Sequence, residues 1–250
     1  MRERLPMWSH RWSHRWPRLL AEALLPCVCA LCGGAAQAAL CAACEHQFVA
    51  RRARCACCAN PLAVTDASFC CAGCIAQAPA FDATLAAVDY AAPLDRLVLQ
   101  LKFGAGLALA PWFAAMLRDT VLADPDFLLP NVLCPVPLGQ GRLRERGFNQ
   151  ALEIARPLAR SLGIKLQPRW LIRARETNAQ SALAPGERRD NIRQAFVVAP
   201  EAMALVRGQH IGVVDDVMSS GHTLGEVAAT LKRFGAARVS NMVFARTPPR

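Results

Sequence analysis

Asp215 and Asp216 close an apolar run, Ile211-Gly212-Val213-Val214, and lead into Val217-Met218-Ser219-Ser220-Gly221-His222-Thr223. Two adjacent carboxylates beside a small-residue turn suit a sugar phosphate. The acids can accept hydrogen bonds from vicinal hydroxyls while the turn's amides and the positive end of a following helix hold the phosphate. Thr223 stands three residues before Glu226, the spacing of a capping box, so a helix is expected from Thr223 to about Phe234. Lys232 and Arg233 would fill its last turn and Gly235 would stop it. A plain strand–turn–helix junction with a solvated acidic pair shares this outline, but it does not require the order of acids, Ser/Gly turn and threonine. A Walker loop is excluded, because no Gly-Lys-Ser/Thr follows the turn.

This stretch resembles the phosphoribosyl pyrophosphate (PRPP) signature of type I phosphoribosyltransferases: apolar residues, two acids, a small-residue turn, Gly, any residue, Thr. The match runs over about a dozen positions, the length of the turn and its flanks.

The cysteines offer a second chemistry. Eleven of the twelve fall between Cys27 and Cys74; Cys134 alone lies outside, on an expected apolar strand where burial suits it. Four Cys-x-x-Cys pairs can be drawn: Cys29/Cys32, Cys41/Cys44, Cys55/Cys58 and Cys71/Cys74. Two thiolates three positions apart on a tight turn reach one ion, and two such turns complete a tetrahedral zinc site. Eight residues separate the first two pairs and twelve the last two, which fits two consecutive zinc ribbons. Adjacent thiols leave the ligands open, since Cys27 could replace Cys29, Cys57 could replace Cys58, and Cys70 could replace Cys71. A disulfide scaffold competes for the same cysteines, but the remainder of the chain reads as a cytoplasmic α/β enzyme, where thiols stay reduced.

With 250 residues, 54% of them hydrophobic, the chain has room for one ordinary domain and a small one, and it is not a disordered polymer. The net charge of +10 predicts anionic partners, whether phosphorylated metabolites or nucleic acid. One Tyr and ten Phe provide no visible aromatic ladder for stacking single-stranded bases. No uninterrupted apolar run is long enough for a membrane span. The segment from Arg18 to Ala38 imitates a secretory signal, but Glu22, Pro26 and the paired cysteines interrupt it. Residues 1–18, with Trp8, Trp12 and Trp16 in a Trp-Ser-His-Arg repeat, read as a low-complexity leader; His10 and His14 are not counted as ligands. Residues 19–78 would hold the double ribbon and 79–250 the larger domain.

The elements that must position the acids alternate. Strands are expected at Ala83 to Tyr90, Asn131 to Val136, Ile164 to Pro168, Gln209 to Val214 and Arg238 to Ala245. Helices are expected at Leu94 to Phe103, Leu107 to Leu122 and Phe148 to Leu162, the last kinked at Pro157. This alternation implies a mostly parallel sheet covered on both faces, with ligands at the carboxyl ends of its strands.

Further segments resemble the ComF-type family of competence-associated, phosphoribosyltransferase-like proteins. They are Leu101-Lys102-Phe103-Gly104, Pro135-Val136-Pro137-Leu138, Arg142 through Gln150, Thr177-Asn178-Ala179-Gln180, Glu187-Arg188-Arg189-Asp190-Asn191 and Ala195-Phe196. The cysteine module followed by Ala80-Phe81-Asp82 belongs to the same pattern, so the resemblance runs from about Leu24 to Arg246. It implies a type I phosphoribosyltransferase fold behind a double zinc ribbon, a link to uptake of transforming DNA, and PRPP bound with Mg²⁺. Asp215 and Asp216 would take the ribose hydroxyls, and Ser219, Ser220, Gly221, His222 and Thr223 the 5-phosphate. Arg142 and Arg146 would meet the pyrophosphate at the Val136-Pro137-Leu138 loop, and Arg175 to Arg193 would form a mobile flap carrying Arg188 and Arg189. Zinc would sit on Cys29, Cys32, Cys41 and Cys44, and on Cys55, Cys58, Cys71 and Cys74. The implied reaction is transfer of a phosphoribosyl group with release of pyrophosphate. The competing reading is a ligand-regulated protein whose ribbons contact single-stranded DNA or a helicase.

Overall fold

The computed structural model describes residues 27–50, 52–63, 69–104, 106–174 and 194–248. The tryptophan leader and the expected flap with Arg188 and Arg189 lie outside these residues. The chain divides into two compact units, 1–45 and 46–250.

In the smaller unit, β1 (Cys27–Val28) pairs antiparallel with β2 (Ala35–Ala36), and helix α1 (Ala42–Phe48) begins just after Cys41. The larger unit opens with the second cysteine stretch, which ends in the short helix α2 (Ala72–Ala76). A five-stranded sheet follows, built from β3 (Ala83–Asp89), β4 (Val132–Pro135), β5 (Lys165–Leu166), β8 (His210–Met218) and β9 (Arg238–Arg246). Its order is β3-β9-β8-β4-β5, and every pairing is parallel. A separate antiparallel hairpin joins β6 (Leu171–Arg173) to β7 (Phe196–Val198).

Parallel strands need crossovers, and here helices supply them. The main ones are α3 (Leu94–Phe103), α4 (Ala110–Leu122), α5 (Gln140–Arg146), α6 (Gln150–Leu162) and α8 (His222–Arg233); a one-turn α7 (Met203–Val206) precedes β8. Side chains alternate along β9, which shows both sheet faces to be covered. Phe244 stacks on Phe113 of α4 with ring centroids 3.6 Å apart. Val239 and Val243, an odd number of residues away, pack in the core that holds Val227 and Leu231 of α8. The expected parallel α/β sheet is therefore present, and α3 falls on its expected residues.

Two local expectations need correction. The central strand does not stop at Val214: its pairing with β9 continues through Asp215↔Val243 to Met218↔Arg246, so both acids are strand residues. Backbone bonding carries the strand through the two acids to the apolar Val217 and Met218. The capping box does not close either. Helix α8 starts at His222 behind Gly221, and Glu226 accepts the backbone N–H of Gln194 at 3.0 Å while facing Arg233 at 3.6 Å.

Candidate functional site

The carboxyl ends of β8 and β4 meet the start of α8 and the turns around α5. Gly221 is the N-cap of α8 with φ +81°, a left-handed conformation that side chains resist. A Cβ there would lie 2.7 Å from Met218 Cε. Glycine thus lets the chain turn out of β8, with Ser219 and Ser220 directly preceding the positive end of the α8 dipole. Ser220 is exposed, and Ser219, His222 and Thr223 are partly exposed.

Asp215 and Asp216 are more enclosed than a solvated pair, at 9% and 3% exposure. Asp215 Oδ1 accepts the backbone N–H of Asp216 at 2.9 Å. Burial, and then the neighbouring Asp216 charge, push the Asp215 carboxyl well above the usual carboxylate range. Asp216 has a counter-charge: Lys102 Nζ, from α3, lies 2.9 Å from its Oδ2. Burial works against the Lys102 ammonium, yet the Asp216 and Asp215 carboxylates hold it above its ordinary value.

Arg146 closes α5 and donates to Gln150 Oε1 at 2.6 Å, with its guanidinium 5.1 Å from the Phe103 ring centroid. Burial lowers its pKa; Asp216 and Asp215 oppose that shift, and Arg142 reinforces it. Arg146 and Lys102 therefore both feel the two acids, and Arg142 lies near enough to act on Arg146. The Val136 end of the neighbouring loop is fixed from two sides. Val136 donates its N–H to the Val214 carbonyl at 3.0 Å and accepts from Asn149 Nδ2 at 3.0 Å. The same Asn149 caps α6 by accepting the Ala151 N–H at 3.0 Å.

Two residues of this site carry more than their motifs announce. Lys102 sits inside Leu101-Lys102-Phe103-Gly104, but its partner is far along the chain. Arg246, the last residue of β9, is buried and donates from Nη1 to the carbonyls of Met218, Ser219 and Thr247. Its Nε donates to the Cys58 carbonyl at 2.8 Å. One guanidinium thus ties the serine turn to the second cysteine stretch. Side-chain spacing alone gives no signal for that link.

The cysteines assemble as their spacing predicts. The sulfurs of Cys29, Cys32, Cys41 and Cys44 lie within 4.8 Å of one another, and so do those of Cys55, Cys58, Cys71 and Cys74. A tetrahedral zinc with Zn–S bonds of about 2.3 Å sets its sulfurs about 3.8 Å apart. Cys32···Cys41 at 3.8 Å and Cys58···Cys71 at 3.6 Å match that edge. Both clusters could hold zinc. Cys55 Sγ also accepts the Cys71 N–H at 3.2 Å, a bond that suits a thiolate. Cys27 falls outside the first group, whereas Cys57 and Cys70 form a third group with Cys55. Cys134 is buried, as expected, and burial raises its thiol to about 12.

No helix among the described residues is long and apolar enough to cross a membrane. A family described as "Phosphoribosyl transferase domain" matches residues 149–250, the part holding α6, the acids, the serine turn and β9. Over 211 residues the chain is 32% identical to the DNA utilization protein YhgH of Escherichia coli (strain K12), covering 83% of this chain and 90% of that protein. It is 29% identical over 180 residues to Competence protein F of Haemophilus influenzae, covering 70% and 78% of the two chains. Among solved structures it is similar to a glutamine PRPP amidotransferase from B. subtilis, with a TM-score of 0.37 and 18% identity. That match covers 58% of this chain and 30% of the amidotransferase.

Proposed function

This chain belongs to the ComF-type family, competence proteins with a phosphoribosyltransferase-like domain, and on that premise we propose that the β8–α8 junction binds PRPP. The observation that carries the reading is a convergence at one end of the sheet. There the Gly221 turn and the α8 N-terminus lie next to an acid pair already facing the cation of Lys102. Ser219, Ser220, Gly221, His222 and Thr223 take the 5-phosphate, with His222 contributing chiefly through its backbone. Asp215 and Asp216 take the ribose hydroxyls. Arg142 and Arg146, beside the Val136 loop, take the pyrophosphate.

The donor set also fits Mg²⁺: Lys102 places positive charge against Asp216 Oδ2, where a divalent cation would do the same. Asp215 and Asp216 would hold that ion together with ligand oxygens. When bound, it would neutralise charge on the pyrophosphate. The chain's own residues orient the sugar and stabilise the departing anion, and no protein nucleophile is needed. Arg142 and Arg146 hold the leaving group, while the acids fix the sugar ring. Phosphoribosyl transfer with pyrophosphate release is the activity this arrangement supports.

A calorimetric titration with PRPP and Mg²⁺ tests the binding. The wild type should bind, and Asp216→Asn should lose binding while keeping its circular dichroism spectrum. Binding that is unchanged in the variant, or absent from the folded wild type, would overturn the assignment. Pyrophosphate release with a panel of bases tests the reaction separately.

The names of the relatives favour a second reading, in which the thiol clusters contact single-stranded DNA. Binding that weakens steeply with salt and with zinc removal would support it.

A further inference from the structure

The second cysteine stretch carries two more thiols than one metal site needs. Cys57 precedes the ligand-position Cys58, and Cys70 precedes Cys71, so the two knuckles face each other as a ladder with two rungs. One rung is Cys58···Cys71 at 3.6 Å, close to the spacing a bound zinc imposes. The other is Cys57···Cys70 at 3.3 Å. That is shorter than the sulfur–sulfur edge of about 3.8 Å around a tetrahedral zinc. A second ion on Cys55, Cys57 and Cys70 would have only three sulfurs, one of them borrowed from the complete four-cysteine set. The distance instead suits a pair held for S–S bonding, which requires closure to about 2.05 Å.

We propose that Cys57 and Cys70 are a redox-active dithiol that forms a disulfide under peroxide while Cys55, Cys58, Cys71 and Cys74 keep their metal. The step balances as two thiols and one hydrogen peroxide giving one disulfide and two waters. The S–S bond forms, the O–O bond breaks, and both thiol protons end in water. A thiol reductant reverses it.

The product is a covalent clip across the same knuckles that the metal joins. It leaves the four ligands untouched and holds the turn whose Ala56 carbonyl accepts the Thr84 N–H at 3.0 Å and whose Cys58 carbonyl accepts from Arg246. The second knuckle pair would thus stay attached to the sheet after losing its ion. This inference does not rest on PRPP binding.

The experiment uses the full-length zinc-loaded protein, titrated with hydrogen peroxide, alkylated, digested and analysed by mass spectrometry alongside its zinc content. The expected result is a Cys57–Cys70 cross-linked peptide, reversed by dithiothreitol, with two zinc ions per chain throughout. Subsequent chelation should leave amide exchange at Thr84 slower, by about tenfold or more, in the oxidised protein than in the reduced one. Cys57→Ser should abolish both effects.

Three results would overturn the proposal. One is zinc release in step with oxidation of Cys58 or Cys71. Another is the absence of the Cys57–Cys70 peptide. The third is a content of three ions per chain that falls to two in Cys57→Ser, which would make the pair a metal site.

Discussion

The Nε–H of Arg246 donates to the Cys58 carbonyl at 2.8 Å, so the end of β9 and the second cysteine stretch share one buried guanidinium. The other arm of that guanidinium reaches Met218 and Ser219, at the start of the serine turn. Arg246→Met keeps much of the bulk but strands the Cys58 and Ser219 carbonyls, whereas the Met218 carbonyl keeps the Thr247 N–H at 2.9 Å. It should cost about 3 kcal/mol, since each buried acceptor left unsatisfied costs about 1–3 kcal/mol. Hydrogen exchange should rise together in peptides covering 55–58 and 218–221, which a purely local packing defect would not produce.

The ion pair between Lys102 and Asp216 gives a second prediction. Removing one partner of an enclosed pair leaves a lone charge, at a cost of about 3–5 kcal/mol. Lys102→Met should lose about that much in urea denaturation, and Lys102→Met with Asp216→Asn should regain most of it. Simple additivity of the two changes would show that the pair contributes nothing as a pair.

Gly221→Ala probes the turn itself. Its φ of +81° should make the substitution cost about 1–2 kcal/mol, and the added methyl would displace Met218 Cε. Affinity for PRPP should fall about tenfold or more, because the loop amides are re-aimed. A crystal structure of the variant with an unmoved Ser219–Gly221 backbone would contradict this.

Asp82 sets a pH dependence. Burial pulls its carboxyl upward, but hydrogen bonds from Lys232 Nζ at 2.8 Å and the Val239 N–H at 2.8 Å hold it below the ordinary value. A depressed folded pKa stabilises the protein above the unfolded value near 3.8, and that stability drains away as pH falls through the folded value. Asp82→Asn should therefore be less stable than wild type at pH 7, by about 1 kcal/mol for so exposed a pair. The gap should close as thermal melts are moved below pH 4. A gap that widened under acid would reverse the sign of the argument.

Much of this molecule can be read from its residues. Apolar periodicity locates α3 and β9 because both bury long, regular faces. Cys-x-x-Cys spacing finds both thiol clusters because a knuckle is a local structure. It does not choose between Cys57 and Cys58, which are adjacent and both face the opposite knuckle. Helix α5 goes unnoticed because none of its residues is buried, so no apolar stripe marks it. The strands of the β6–β7 hairpin are too short to show a period. Lys102 and Arg246 escape notice because their partners come from distant strands and backbone carbonyls, which only tertiary folding brings near.

The second pair of knuckles lies within the unit that spans 46–250, although its cysteines echo those of the smaller unit. Cutting at the end of the cysteines would take away the carbonyl under Thr84, the Arg54 that meets Asp89 at 2.8 Å, and the acceptor of Arg246. The second pair of knuckles is masonry under the larger domain and must be inherited with it.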